Sequence, residues 1–578
     1  MPSKEALLPQ RLAPVLHPPL LAICPVLGLY AQNVGVIPPG DLIRPALVLA
    51  GGAIGLWLVL WMLMASRYRA GFTATVLVAS LVFGWGILED FISLTLYWLS
   101  GWPTPVFYVL FGVLVWGALI TYGIRFKPGR RAFVKIVILL AVFFAASFIV
   151  ADLAMAPVFG RRAAWLIVAY LSSVAIGLGI LTRERIDEKT LTHTANWFVG
   201  ILVVLYAALI LLNQPNREIA PPHGLGEMSK AAAHASEIEK PDIYCLFLDG
   251  YPRTDTLFRM FGADNRAFVM NLSELEFSLA HSSLANYPTY DLSLASFLNL
   301  DYLQNLAPEE TGYPPYVLRK LIRENRLFDF VSRQGYEVVA FSPGLALLEP
   351  GPPARRIEPA QALTEVELVL LNRTVVGRIM EVVYYFRHDN PAFWQFQSRR
   401  DRILHAFDEI KSMAGAPNDS PRFVFAPILL PQPPFLFSVD GGRANPYGPG
   451  SKATDRIFKG STQEFAAMYL GQLQWTNQQL LETVAAIKEN SSSPPVILIA
   501  SGGGPATFSS PDTAGEAIRA RYENFVALCN PYEGAAPLPD EVVLANVPRI
   551  MLNEVFNLAL PMLEPHVYSP AELEPAPE

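Results

Sequence analysis

The sequence predicts a polytopic α-helical membrane domain followed by an α/β domain, whose mostly parallel sheet is covered by helices on both faces. Two observations carry that prediction. The chain is 52% hydrophobic and only 16% charged, too apolar for a soluble protein of this length, and the excess lies before Asn213. Beyond residue 240 short apolar runs alternate with helical segments, the rhythm of a doubly covered parallel sheet. The expected division is a membrane domain over 1–213, a linker over 214–240, an extracytoplasmic α/β domain over 241–568 and a disordered tail over 569–578.

Seven stretches are apolar for long enough to cross a bilayer, which takes about 20 helical residues. They run over 18–36, 42–65, 72–88, 105–124, 133–150, 163–181 and 194–212. The first carries Pro25 and is followed directly by another span, which argues against a cleaved signal peptide. Loop charges set the orientation. Lys4, Arg11, Arg67, Arg69, Arg125, Lys127, Arg130, Arg131, Arg183, Arg185 and Lys189 fall on one side, with little beyond Arg44, Arg161 and Arg162 on the other. The positive-inside rule puts the N-terminus in the cytoplasm and everything beyond Asn213 outside. Glu89 and Asp90 are an acidic pair near membrane depth, but the aromatic stretch Phe91–Trp102 reads as interfacial and places both near water. Ionisable residues do not recur across the spans, which argues against a transporter.

The Pro-rich segment from Gln214 to Lys240 reads as the linker. After it, strands are expected at Ile243–Leu248, Glu337–Phe341, Phe423–Ile428, Val496–Ala500 and Phe525–Leu528. A helix over Gln463–Lys488 places Phe465, Tyr469, Leu473, Leu480, Val484 and Ile487 on one core face. A net charge of −7 with no basic block excludes a nucleic-acid binder. Cys24, Cys245 and Cys529 form no metal-binding pattern; a Cys245–Cys529 bridge is conceivable.

Several blocks together carry a resemblance. An apolar strand ends in Leu248-Asp249-Gly250-Tyr251, and Asn286-Tyr287-Pro288 leads into Leu292-Ser293-Leu294-Ala295-Ser296. Phe423-Val424-Phe425-Ala426 runs into Pro431-Gln432-Pro433-Pro434-Phe435, then come Tyr469-Leu470-Gly471-Gln472-Leu473 and Pro495-Val496-Ile497-Leu498-Ile499-Ala500-Ser501. In order and spacing these resemble the sulfatase-like branch of the alkaline phosphatase superfamily, in the bacterial membrane-anchored form of lipoteichoic acid synthases and phosphoethanolamine transferases. The opening His17-Pro18-Pro19-Leu20-Leu21 to Leu29-Tyr30-Ala31-Gln32-Asn33 looks like the membrane segment fused to such domains.

The resemblance implies a metal-dependent esterase site and shows most of it replaced. Asp249 matches the aspartate that binds a divalent cation. The nucleophilic threonine or serine falls on Tyr290, with Thr289 one residue early. The Asp and His ligands of a Ser-Asp-His-Gly block fall on Gly502 and Gly503, and family histidines fall on Gln432 and Pro427. A hydroxyl attacks phosphorus well only when a base or metal makes it alkoxide-like, and a metal needs several convergent donors. Three substitutes remain open: Thr289 as nucleophile, Asp291 or His281 as ligands, and Ser501–Gly504 as an anion-binding nest of N–H groups. A plain tight turn is the simpler reading of the glycines.

The expected function is a catalytically degenerate extracytoplasmic binding or scaffold subunit on a bacterial cytoplasmic membrane, with no cofactor. Its expected partners are the bilayer, other membrane-complex subunits, or envelope glycans and lipids. The alternative is a zinc- or manganese-dependent phospho- or sulfo-ester hydrolase, or a phosphotransferase acting on envelope lipids or glycans.

Overall fold

The structure is a computed structural model and describes residues 14–64, 66–78, 188–214, 240–307, 312–360, 362–372, 374, 377, 380, 393–447, 458, 460–505, 514–532 and 534–573. The expected spans over 105–124, 133–150 and 163–181, the Glu89–Asp90 pair and nearly all of the linker lie outside these residues. The chain divides into two compact units, one of Met1–Pro215 with Val366–Val383, the other of Asn216–Glu365 with Tyr384–Glu578. The second unit thus holds the expected α/β segment apart from Val366–Val383.

In the first unit, helices span His17–Gln32, Ile43–Met64, Arg67–Val78 and Glu188–Leu212. Among the described residues, two stretches are long and apolar enough to cross a membrane, Pro39–Leu63 and Thr192–Leu212. Their apolar side chains are widely exposed, Met62 at 78% and Trp197 at 74%, as suits lipid rather than water. The first helix is shorter than expected, ending at Gln32 in a turn. Asn196 caps its start: the side-chain oxygen accepts from the backbone N–H groups of Leu16 (3.0 Å) and His17 (2.9 Å). At the other end Asn213 donates to the carbonyl of Ala31 (2.8 Å). The two helices thus run parallel. Glu367, from the later segment, pairs with Arg44 within this unit.

The second unit is built on a sheet of seven strands in the order β2-β7-β6-β1-β5-β3-β4. These are β1 Ile243–Asp249, β2 Ser278–Leu279, β3 Glu337–Phe341, β4 Arg355–Ile357, β5 Arg422–Pro431, β6 Val496–Ser501 and β7 Val526–Cys529. β1 pairs in parallel with β5 and β6, and β3 with β4 and β5; β7 is antiparallel to β6 and β2. Central strands covered on both sides need apolar residues throughout rather than alternation, and every residue of β5 and β6 is buried.

Alternate residues of β1 enter different cores. Cys245 and Phe247 pack with Phe297, Leu303 and Phe328 on one face. Tyr244, Leu246 and Leu248 pack with Phe407, Tyr469 and Val484 on the other. The long helix runs Thr462–Asn490, started by a capping box in which Ser461 and Glu464 bond each other's backbone N–H. All six residues of its expected core face are buried.

Cys245 and Cys529 are free, on strands separated by β6, so no bridge joins them. Within the expected tail, Pro570–Leu573 forms a helical turn, capped where Glu572 accepts from the Ser569 N–H (2.7 Å).

Candidate functional site

In an open, mostly parallel sheet the carboxyl ends of the strands face a crevice free of ladder bonding, the common place for a ligand. β1 delivers Asp249 to that edge. A register shift between Leu248 and Asp249 sets Asp249 opposite Pro431, and the N–H of Gln432 bonds its carbonyl (3.2 Å). The next residue, Gly250, has φ +70°, and a Cβ there would overlap the Gln432 side chain, so only glycine suits both the turn and the close approach.

β6 ends beside it, where the N–H of Gly502 donates to the carbonyl of Leu248 (2.9 Å). A Cβ on Gly502 would stand 2.8 Å from Tyr290 Cδ2. Tyr290 opens the Tyr290–Asn299 helix, with Thr289 at its N-cap position. Its ring also packs on Phe247, centroids 5.5 Å apart. Asp249, Gln432, Gly502 and Tyr290 are thus brought to one edge by backbone pairing and aromatic packing. Gly503 adjoins them, but a Cβ there would meet the carbonyl oxygen of Arg521 at 2.6 Å.

The open alternatives find little support. The N–H groups of the glycine run bond within the protein, Gly502 to Leu248, Gly504 to Arg521 (2.9 Å) and Gly503 to Ser501 Oγ (3.4 Å). They do not converge as an anion nest. Exposed Thr289 donates its hydroxyl to Asp291 (2.5 Å), which orders the first turn of the helix. His281 is exposed on the β2–β7 side, its backbone N–H bonded to Asp540 (3.3 Å).

One participant has no sequence signal. Arg399, on the Phe393–Ala414 helix, bears electrostatically on both Asp249 and Tyr290. Its Nε is buried with no hydrogen-bond partner, and so is the hydroxyl of Tyr290. Asp249 keeps a little solvent access, yet burial pushes its carboxyl up to about 7, with Arg399 opposing and Asp291 adding to the rise. Burial, then the Asp249 charge, drives the Tyr290 phenol well above its ordinary value. It is a neutral hydroxyl at any physiological pH.

These residues do not fit a divalent metal. The donors at this edge are the Asp249 carboxylate, with Asp291 nearby, a neutral amide and a neutral phenol, and a guanidinium faces them. Among the described residues no group of three or more His, Cys, Asp or Glu stands together as metal ligands.

No family model matches the sequence, and no curated protein does. Among solved structures, the chain is similar to the C-terminal periplasmic domain of phosphoethanolamine transferase EptC from Campylobacter jejuni, at 10% identity and TM-score 0.36, covering 56% of this chain and 91% of that one. It is similar to a putative sulfatase from Bacteroides thetaiotaomicron at 13% identity and TM-score 0.36, covering 59% and 76%. The integral membrane protein lipooligosaccharide phosphoethanolamine transferase A from Neisseria meningitidis aligns at 11% identity and TM-score 0.32, covering 79% and 88%.

Proposed function

We propose that this protein is a membrane-anchored binding subunit, with the frame of a sulfatase-like esterase and without its chemistry. The observation that carries this reading is the packing of Tyr290 on Gly502: an aromatic ring fills the space where a metal-binding side chain would project. The two replacements are complementary in shape. A phenol held neutral is a poor nucleophile, and no base is bonded to it. A guanidinium beside Asp249 opposes the approach of a dication.

The binding unit lies outside the cytoplasm in this proposal. Loop charges favour that side. The parallel run of the His17–Gln32 and Glu188–Leu212 helices agrees, since two parallel spans leave their start and finish on opposite sides. Its partners are other membrane-complex subunits or envelope glycans and lipids. The test is hydrolysis of aryl phosphate and aryl sulfate esters by the purified full-length protein, with zinc, manganese or magnesium added. Release at the no-protein rate is expected. Saturable, metal-dependent release would instead establish a hydrolase or phosphotransferase.

A further inference from the structure

Two arginines one turn apart on the Phe393–Ala414 helix line the same small cavity, beside Ser342, Ile403, Pro427 and Leu429 at the carboxyl ends of β3 and β5. Arg402 is fully committed. It donates to Ser342 Oγ (2.8 Å), Glu358 Oε2 (2.9 Å) and the carbonyl of Leu363 (3.1 Å). Arg399 forms no ion pair among the described residues, and its Nε is buried without an acceptor. Leaving such a donor unbonded is costly, and more so when it is charged. The Tyr290 hydroxyl, another buried donor lacking an acceptor, lies within electrostatic reach of the same guanidinium. Asp249 bears electrostatically on both groups, yet neither Arg399 Nε nor the Tyr290 hydroxyl is bonded to it or to any other acceptor among the described residues, so both donors remain available to an acceptor from outside.

We propose that Arg399 and the Tyr290 hydroxyl form a metal-independent site for a small oxyanion, with the guanidinium as the fixed cation. Charge-assisted bonds from a guanidinium suit the planar or tetrahedral oxygens of carboxylate, phosphate or sulfate groups. Asp249 disfavours the bound anion by its own charge, so its contribution is opposite in sign to that of a metal ligand. This inference rests on the non-catalytic reading above and adds the ligand chemistry to it.

The experiment is calorimetric titration of the chelator-treated full-length protein in detergent with inorganic sulfate, inorganic phosphate and acetate. Saturable binding of at least one is expected, and the ranking tells a tetrahedral anion from a carboxylate. Arg399→Gln should weaken it about tenfold or more. Tyr290→Phe, which removes only an unbonded hydroxyl and leaves the packing in place, should weaken it several-fold without lowering Tm. Asp249→Asn should tighten it. No saturable binding, or binding unchanged in Arg399→Gln and Tyr290→Phe, would overturn the inference and leave the non-catalytic reading standing. Binding lost on chelation, restored by zinc or manganese and abolished in Asp249→Asn would overturn both.

Discussion

Asp249 and Glu523 are both carboxylates set into the same edge of the sheet, and their surroundings are opposite. Glu523 is only 1% exposed and accepts from Thr256 Oγ1 (2.7 Å), Arg519 Nε (2.9 Å), Arg253 (3.3 Å) and Arg259. Asp249 has no side-chain hydrogen bond and no ion pair among the described residues. A buried carboxylate is tolerated when its oxygens are bonded, and then it ties elements together. Glu523 joins the Thr254–Phe261 and Ala514–Ala520 helices in this way. Asp249 ties nothing, so the fold gains no bonding from its side chain.

The contrast gives graded predictions. Glu523→Ala leaves three guanidinium groups and a hydroxyl facing an empty acceptor position, and should cost about 3–5 kcal/mol in denaturant unfolding of the full-length protein. A loss below about 1 kcal/mol would erase the difference between the two carboxylates. Next in size is Gly504→Ala, whose Cβ would overlap the carbonyl oxygen of Ala520; backbone must shift, at about 1–3 kcal/mol.

Asp249→Asn should do the reverse and stabilise. A carboxyl pushed from 3.8 up to about 7 holds its proton in the folded state over that interval while the unfolded chain has lost it. Stability therefore falls as pH rises from about 4 to 7, and is unaffected by this group below that window. The asparagine variant should gain stability near pH 8 and little near pH 4, with about 4 kcal/mol as the ceiling set by the full shift. An equal gain at both would show that Asp249 is not desolvated. The smallest effect is a coupling: Gly502→Ala should be tolerated better with Tyr290→Ala than with Tyr290 in place, by about 1 kcal/mol in a double-mutant cycle.

Much of this architecture was legible in the sequence, because fully buried parallel strands are apolar along their length. Each of the five expected strands appears within about three residues of its expected limits. β2 and β4, of two and three residues, leave no mark in the sequence, since nothing that short has a periodicity; their partners define them. At the site, Asp249, Tyr290, Gln432 and Gly502 could be placed from motif order alone. Arg399 could not. It sits in the run Arg399-Arg400-Asp401-Arg402, which reads as a solvated helix surface, and only packing decides that Arg402 is locked to Ser342 while Arg399 faces Asp249. The assignment of Val366–Val383 to the first unit was equally hidden, since its ion pair joins Arg44 to Glu367 across more than three hundred residues.

In the proposed non-catalytic reading, a guanidinium and a tyrosine ring stand at the end of β1 where a metal centre would otherwise sit. Elemental analysis of the full-length protein, purified without chelator and compared with Asp249→Ala, tests it most directly. Well under one equivalent of zinc, manganese or magnesium is expected, with no difference between the two proteins. One tightly held equivalent that disappears in Asp249→Ala would contradict the account.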